Sequence, residues 1–144
     1  MKSNILILCT GNSCRSQMAQ GWMEHFDAQN QLHVYSAGIE THGVNPNAVQ
    51  VMREAGVDIA QHTSNHMDDY RDIDFDYVIT VCDHARENCP YFPADAERIH
   101  RNFTDPARAT GSEEEILDEF RRVRDEIQTF SAQFVNRISK EKTA

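Results

Sequence analysis

The chain has 144 residues, 40% of them apolar, with 14 Lys and Arg against 23 Asp and Glu for a net charge of −9. The length fits a single domain, residues 1–144, around one core. The acidic balance argues against general nucleic-acid binding, which needs a basic face, and against docking on anionic membranes.

No apolar run approaches the roughly 18 to 20 residues of a membrane span. The N-terminal residues lack the small-residue cleavage site of a signal peptide. A cytoplasmic location and a monomeric state are therefore the expectations. An anionic substrate would meet a repelling global field, so its site must create its own positive potential.

Residues 4–8, NILIL, are a short continuous apolar run, the pattern of a strand buried on both faces. From Ser13 a helical period follows, in which Met18, Ala19, Trp22, Met23 and Phe26 recur at three- and four-residue steps. Residues 32–37, LHVYSA, read as a second strand closed by Gly38. Asn45-Pro46 opens a second helix that carries Ala48, Val49, Met52 and Ala55 and stops at Gly56. Residues 76–82, DYVITVC, form the strongest strand, and residues 97–101, ERIHR, a weaker one. Ser112 with Glu115 three residues on is a capping box. It starts a long helix whose apolar stripe is Ile116, Phe120, Val123, Ile127, Phe130, Phe134 and Ile138, with the final KEKTA expected to fray.

Strands alternating with helices imply an α/β fold with a parallel sheet covered on both faces. Right-handed crossovers leave few topologies, and a flavodoxin-like four-stranded sheet in the order 2-1-3-4 is the expected one. Such sheets bind ligands at the carboxyl ends of their strands, where the strand order reverses. Here that point lies between strand 1, which runs into Cys9, and strand 3, which ends at Cys82.

The segment Cys9-Thr10-Gly11-Asn12-Ser13-Cys14-Arg15-Ser16 joins the first strand to the first helix. Backbone N–H groups at a helix start lack intrahelical partners, so loop and dipole together make a concave anion site. Gly11 and Asn12 tolerate the left-handed backbone that such a nest needs. Arg15 can grip two oxygens of a tetrahedral oxyanion. Cys9 faces the same amides, an environment that favours the thiolate, and Ser16 is placed to donate to it. Cys9 is therefore a candidate nucleophile aimed at the central atom of a bound oxyanion. The plain alternative is a buried cysteine before a tight turn. Cys14 is either a second nucleophile or, as free cysteines more often are, a buried packing residue.

Four cysteines, at 9, 14, 82 and 89, could suggest a disulfide frame, but a cytosolic chain keeps structural thiols reduced. The C-x4-C and C-x6-C gaps are not those of zinc knuckles. No metal and no cofactor are expected.

The stretches CTGNSCRSQMA and VYSAGIETHGVNPNA, with the later Asp105-Pro106, resemble the low-molecular-weight tyrosine phosphatases. More closely, the chain resembles the thioredoxin-coupled arsenate reductases built on that fold. The C-x5-R loop alone marks only the wider phosphatase group, and Cys82 with Cys89 narrows it.

The resemblance implies that Asp105 is the general acid for the leaving oxygen. By itself an Asp-Pro is also an ordinary turn. Related phosphatases often carry tyrosines just past this position. Ala107 and Arg108 stand here instead, which favours a small inorganic anion over an aryl ester.

The resemblance further implies a relay in which Cys9 attacks arsenate, Cys82 attacks Cys9, and Cys89 attacks Cys82. Thioredoxin would then reduce the Cys82–Cys89 disulfide. DHAREN between the two cysteines is polar and helix-compatible, and a helix of seven steps would hold them about 10 Å apart. A disulfide between them therefore needs that short helix to unwind.

Some members of the family hold a potassium ion behind the loop with an asparagine, a glutamate, a serine and an aspartate. Asn12 and Ser36 match, but the acidic positions are Gln20 and Asn65, so a side-chain hydrogen-bond network is expected in place of the ion. His62 also matches and reads as structural. Two rival functions remain: a phosphatase acting on small phosphate esters, and a redox sensor, which leaves Arg15 and Asp105 unexplained.

Overall fold

A computed structural model describes residues 2–87 and 96–143. The strands are β1 (Ser3–Cys9), β2 (Leu32–Gly38), β3 (Tyr77–Thr80) and β4 (Glu97–His100). The helices are α1 (Arg15–Phe26), α2 (Pro46–Glu54), α3 (Asp83–Glu87) and α4 (Glu113–Thr143), with 3-10 turns at Met67–Tyr70 and Pro106–Arg108. All strand pairs are parallel and the sheet order is β2-β1-β3-β4, the expected topology.

Ile5, Leu6, Ile7 and Leu8 are fully buried, as a central strand covered on both faces requires. Each contributes about 1.5–3 kcal/mol by leaving water. Tyr77 meets Phe134 of α4 edge-on at 5.3 Å. By alternation, Ile5, Ile7, Tyr77 and Ile79 share that face. On the other face Tyr35, the partner of Leu6, packs against Tyr70 and Phe75. The stripe on α4 is buried at Phe120, Val123, Ile127, Phe134 and Ile138. This helix lies along α1 and, nearer its start, against α2.

Several boundaries differ from the sequence expectation. The first helix begins at Arg15 rather than Ser13, because the preceding residues are spent on the turn. The third strand stops at Thr80 rather than at Cys82. Val81 still donates to the Leu8 carbonyl at 2.9 Å, but the Cys82 carbonyl already accepts from the Arg86 amide at 3.2 Å. Cys82 therefore opens α3 instead of closing β3. The fourth strand ends at His100, one residue early, and α4 stays helical to Thr143 where fraying was expected.

The capping box is present. The Glu115 amide donates to Ser112 Oγ at 3.1 Å, and the Ser112 amide donates to Glu115 Oε1 at 3.2 Å. Ser112→Ala is expected to cost about 1 kcal/mol, read as a lower urea midpoint at unchanged slope. A midpoint equal to that of the parent protein would show that the cap contributes nothing.

Candidate active site

The turn between β1 and α1 is shaped by what its carbonyls do. The Thr10 carbonyl accepts from the Glu40 amide at 2.9 Å, that of Gly11 from the His42 amide at 3.0 Å, and that of Ser13 from the Asn45 amide at 3.0 Å. Ser64 Oγ also donates to the Gly11 carbonyl, at 3.2 Å. With the carbonyls tied outward, the amides of Gly11 to Ser16 have no acceptor among the described residues. They are the donors that a candidate anion nest at the start of α1 would use.

The left-handed residue of the turn is Asn12, at φ 47°. Gly11 does not share that conformation. It is small for a different reason: a Cβ there would press on His42 at 3.1 Å. Gly38 is held more tightly still. A Cβ there would stand 2.4 Å from the Glu40 carbonyl oxygen, 2.7 Å from the Asn12 amide nitrogen and 2.8 Å from the Thr10 carbonyl oxygen. From the sequence Gly38 reads only as the end of a strand, whereas it is where β2 meets the turn.

Cys9 is buried at the end of β1, paired in register with Gly38, and its sulfur lies 3.1 Å from Ser16 Oγ. Asn12 Nδ2 donates to Ser16 Oγ at 2.8 Å. The Ser16 hydroxyl hydrogen is thereby left to point at the Cys9 sulfur. The same Asn12 nitrogen donates to Ser36 Oγ at 3.0 Å, and Ser36 donates to Gln20 Oε1 at 2.7 Å. Asn12 Oδ1 accepts from the Asn65 amide at 2.8 Å and from Gln17 Nε2 at 3.1 Å. The side chain of Asn12 is thus wholly occupied behind the nest, to which it offers only its backbone N–H.

The expected amide network therefore exists, and the residues do not fit a potassium ion. Gln20 Oε1, Ser36 Oγ and Asn12 Oδ1 each already accept a hydrogen bond, and Asn65 is turned to Thr63. The network also includes Gln17, which nothing in the sequence singles out. Its Oε1 faces His62 Nδ1 at 3.1 Å, and His62 Nε2 lies 3.3 Å from Glu24 Oε1. His62 supports the loop from outside and does not face the nest.

Arg15 is nine-tenths buried. Its Nη1 donates to the Phe103 carbonyl at 3.1 Å, and its Nη2 stands 3.7 Å from Asp105 Oδ2. Its Nε is buried with no partner among the described residues. A buried guanidinium N–H without an acceptor is costly, which makes this nitrogen a candidate donor to an oxyanion. Asp105 Oδ1 caps the following 3-10 turn through the Ala107 amide at 3.0 Å, and Oδ2 also lies 3.8 Å from Arg108 Nε. The carboxylate is thus fixed beside Arg15.

The remaining cysteines separate cleanly. Cys14 is buried at the N-cap of α1 and makes no capping bond with its side chain. Burial first, and the Asp105 carboxylate second, push its thiol up to about 12. A thiol held protonated is a poor nucleophile. The Cys82 sulfur is buried 3.4 Å from Thr10 Oγ1, next in the chain to Cys9, and accepts from the Ala85 amide at 3.4 Å. Cys89 lies outside the described residues. Thr10 to Ser16, Cys9, Cys82 and Asp105 are therefore gathered at the carboxyl ends of β1 and β3. Among the described residues no helix is long and apolar enough to cross a membrane.

Residues 4–144 match the family model described as "Low molecular weight phosphotyrosine protein phosphatase". A protein named arsenate reductase from Halalkalibacterium halodurans is 53% identical over 126 residues, covering 88% of this chain and 90% of that protein. One of the same name from Bacillus subtilis is 52% identical over 123 residues, covering 85% and 88%. Among solved structures, an arsenate reductase in the phosphate-binding state superposes with a TM-score of 0.76 at 29% identity, over 96% of this chain and 99% of that one. An arginine phosphatase from Geobacillus stearothermophilus shares the fold, with a TM-score of 0.76 at 23% identity over 98% and 96%.

Proposed function

The chain belongs to the low molecular weight phosphotyrosine protein phosphatase family, and we propose that within it this protein reduces arsenate to arsenite. The observation that carries the reading is the Cys82 sulfur, buried against Thr10 at 3.4 Å beside the anion nest. Phosphate-ester hydrolysis needs Cys9, Arg15 and Asp105 and has no use for another thiol there.

The oxyanion sits on the amides of the turn and on the free edge of Arg15. The Cys9 thiolate, supported by Ser16, attacks arsenic. An arsenic–oxygen bond breaks, and Asp105 supplies a proton to the oxygen, which leaves as water. The Cys82 thiolate then attacks the Cys9 sulfur. The sulfur–arsenic bond breaks, its electron pair passes to arsenic, and the pentavalent centre becomes trivalent arsenite. The Cys89 thiolate attacks Cys82, frees Cys9 and leaves a Cys82–Cys89 disulfide. Two thiols have then given two electrons, and one arsenate has become one arsenite and one water. A dithiol protein such as thioredoxin restores the pair. Cys14 takes no part.

Arsenate-dependent NADPH oxidation with thioredoxin and thioredoxin reductase tests the relay. Wild type is expected to turn over, and Cys82→Ser and Cys89→Ser are each expected to fall to background. Undiminished turnover in either variant would sink the relay. The same loop can also hydrolyse a small phosphate ester, so slow aryl phosphate hydrolysis is expected alongside. Good hydrolysis with no arsenate turnover in wild type would make phosphatase the main activity.

A further inference from the structure

We propose that His100 and Asp83 form a latch that holds α3 helical in the reduced protein and so sets the redox poise of Cys82. The inference rests on the relay proposed above. It starts from α3, whose described residues Asp83–Glu87 are exposed except for Ala85 and so bury too little to hold a helix by packing alone. Tertiary ties must hold it.

Those ties converge on its first residue. The Asp83 amide donates to Asn102 Oδ1 at 3.0 Å. The Asp83 carboxylate oxygen Oδ1 lies 2.7 Å from His100 Nε2, with Arg86 Nη2 at 3.9 Å from the same atom. The other ring nitrogen of His100, Nδ1, lies 2.7 Å from Thr80 Oγ1. A carboxylate only accepts, so Nε2 carries the hydrogen and donates to it. Nδ1 can then accept the Thr80 hydroxyl, and the neutral ring is satisfied on both sides. The sheet register pairs Thr80 with His100, so β3 and β4 fix the ring before α3 meets it. Beyond Asp83, His84, Arg86 and Glu87 are exposed and only Ala85 is buried.

The folded α3 aims the Ala85 amide at the Cys82 sulfur. The oxidised relay cannot keep that arrangement. A helix carried through the seven steps from Cys82 to Cys89 would hold the two cysteines about 10 Å apart. A disulfide requires the Cα atoms of its two cysteines within about 7 Å, so its formation would unwind such a helix. Formation of the Cys82–Cys89 bond releases two electrons and two protons and requires α3 to unwind. A contact made only when α3 is folded stabilises the dithiol alone, so its removal moves the equilibrium toward the disulfide. His100 is on this reading a positioning residue, acting through Asp83 and α3.

The test equilibrates full-length wild type, His100→Ala, Asp83→Ala, Asp83→Asn and the double variant His100→Ala/Asp83→Ala in dithiol–disulfide buffers. Alkylation and mass spectrometry then count the Cys82–Cys89 disulfide. Each alanine variant is expected to favour the disulfide by about fivefold to tenfold over wild type. Tenfold is about 30 mV more negative for a two-electron couple. The double variant is expected to shift no further than a single one, because both remove the same contact. Asp83→Asn, which keeps an acceptor for the ring, is expected to shift less.

A role limited to general stability would lower both redox forms together and leave the equilibrium in place. An equilibrium within twofold of wild type, or a shift toward the dithiol, overturns the latch. If His100→Ala fails to fold, the exposed Asp83 variants decide the question. If wild type forms no Cys82–Cys89 disulfide at any poise, the relay itself fails and the latch falls with it.

Discussion

Cys9→Ser is expected to reduce arsenate turnover to background, while Cys14→Ala is expected to retain most of it. The two thiols stand five residues apart in one turn, and the difference lies in what surrounds each. Cys9 faces a hydroxyl whose hydrogen is directed at it, beside amides that lack acceptors among the described residues. A serine there keeps the volume but is a far weaker nucleophile at neutral pH. Cys14 is buried beside Asp105, and both effects keep its proton on, with the thiol pushed up to about 12.

That shift has a consequence for stability. The unfolded chain loses the Cys14 proton near the ordinary value of 9.0, and the folded chain only near 12. Between those values the unfolded state binds fewer protons, so stability falls as pH rises. The stabilisation is fully present below about pH 9 and is lost on the way to about 12. Cys14→Ala removes this component, so its alkaline loss of stability should be shallower. At neutral pH the small cavity should cost about 1–2 kcal/mol. Urea midpoints across the alkaline window, with steady-state arsenate kinetics at neutral pH, check both halves. A folded but inactive Cys14→Ala would give that cysteine a chemical role and overturn the assignment.

Much of the site is legible in the sequence because its chemistry is local. Cys9, Arg15 and Ser16 lie within one strand-to-helix turn, and their positions follow once β1 is read from NILIL. The sheet order is legible because the crossover rules leave little choice. The rest depends on atoms brought from far along the chain. Gly38 is fixed by backbone atoms of residues 10, 12 and 40, and nothing in VYSAG announces them. Gln17 reads as one polar residue on a helix, yet it joins Asn12, Thr63 and His62.

Cys82 reads from the sequence as a strand end, and the structure makes it a helix start. The nearly continuous apolar run from Tyr77 carries on through Val81 and Cys82 and reads as strand, but helix hydrogen bonding has already begun at the Cys82 carbonyl. The corrected position strengthens the chemistry, since a helix start gives the sulfur an amide donor that a strand end lacks.

Arg15→Lys is expected to lower kcat/KM for arsenate by about 10²–10³-fold, the range found when a preorganised donor to a developing charge is lost. Net charge is unchanged, so any loss reports geometry. The Arg15 fork has one nitrogen anchored on the Phe103 carbonyl at 3.1 Å, one beside Asp105 at 3.7 Å, and a buried Nε without a partner among the described residues. Anchoring by the Phe103 carbonyl fixes the plane of the guanidinium before substrate arrives. The remaining edge can then meet two oxygens at once. A lysine ammonium can replace either the anchor or the substrate contact, but not both with one position of its nitrogen.

The loss should therefore appear in KM and in kcat together, and inorganic phosphate should inhibit the variant far less well than wild type. Steady-state kinetics with arsenate, and phosphate as a competitor, measure the two effects. If kcat/KM and phosphate inhibition were both unchanged, the amides of Gly11 to Ser16 would suffice for binding. Arg15 would then be a structural strut between α1 and the segment carrying Asp105. The unpartnered Nε opposes that outcome, because a strut would gain by bonding every buried donor it has.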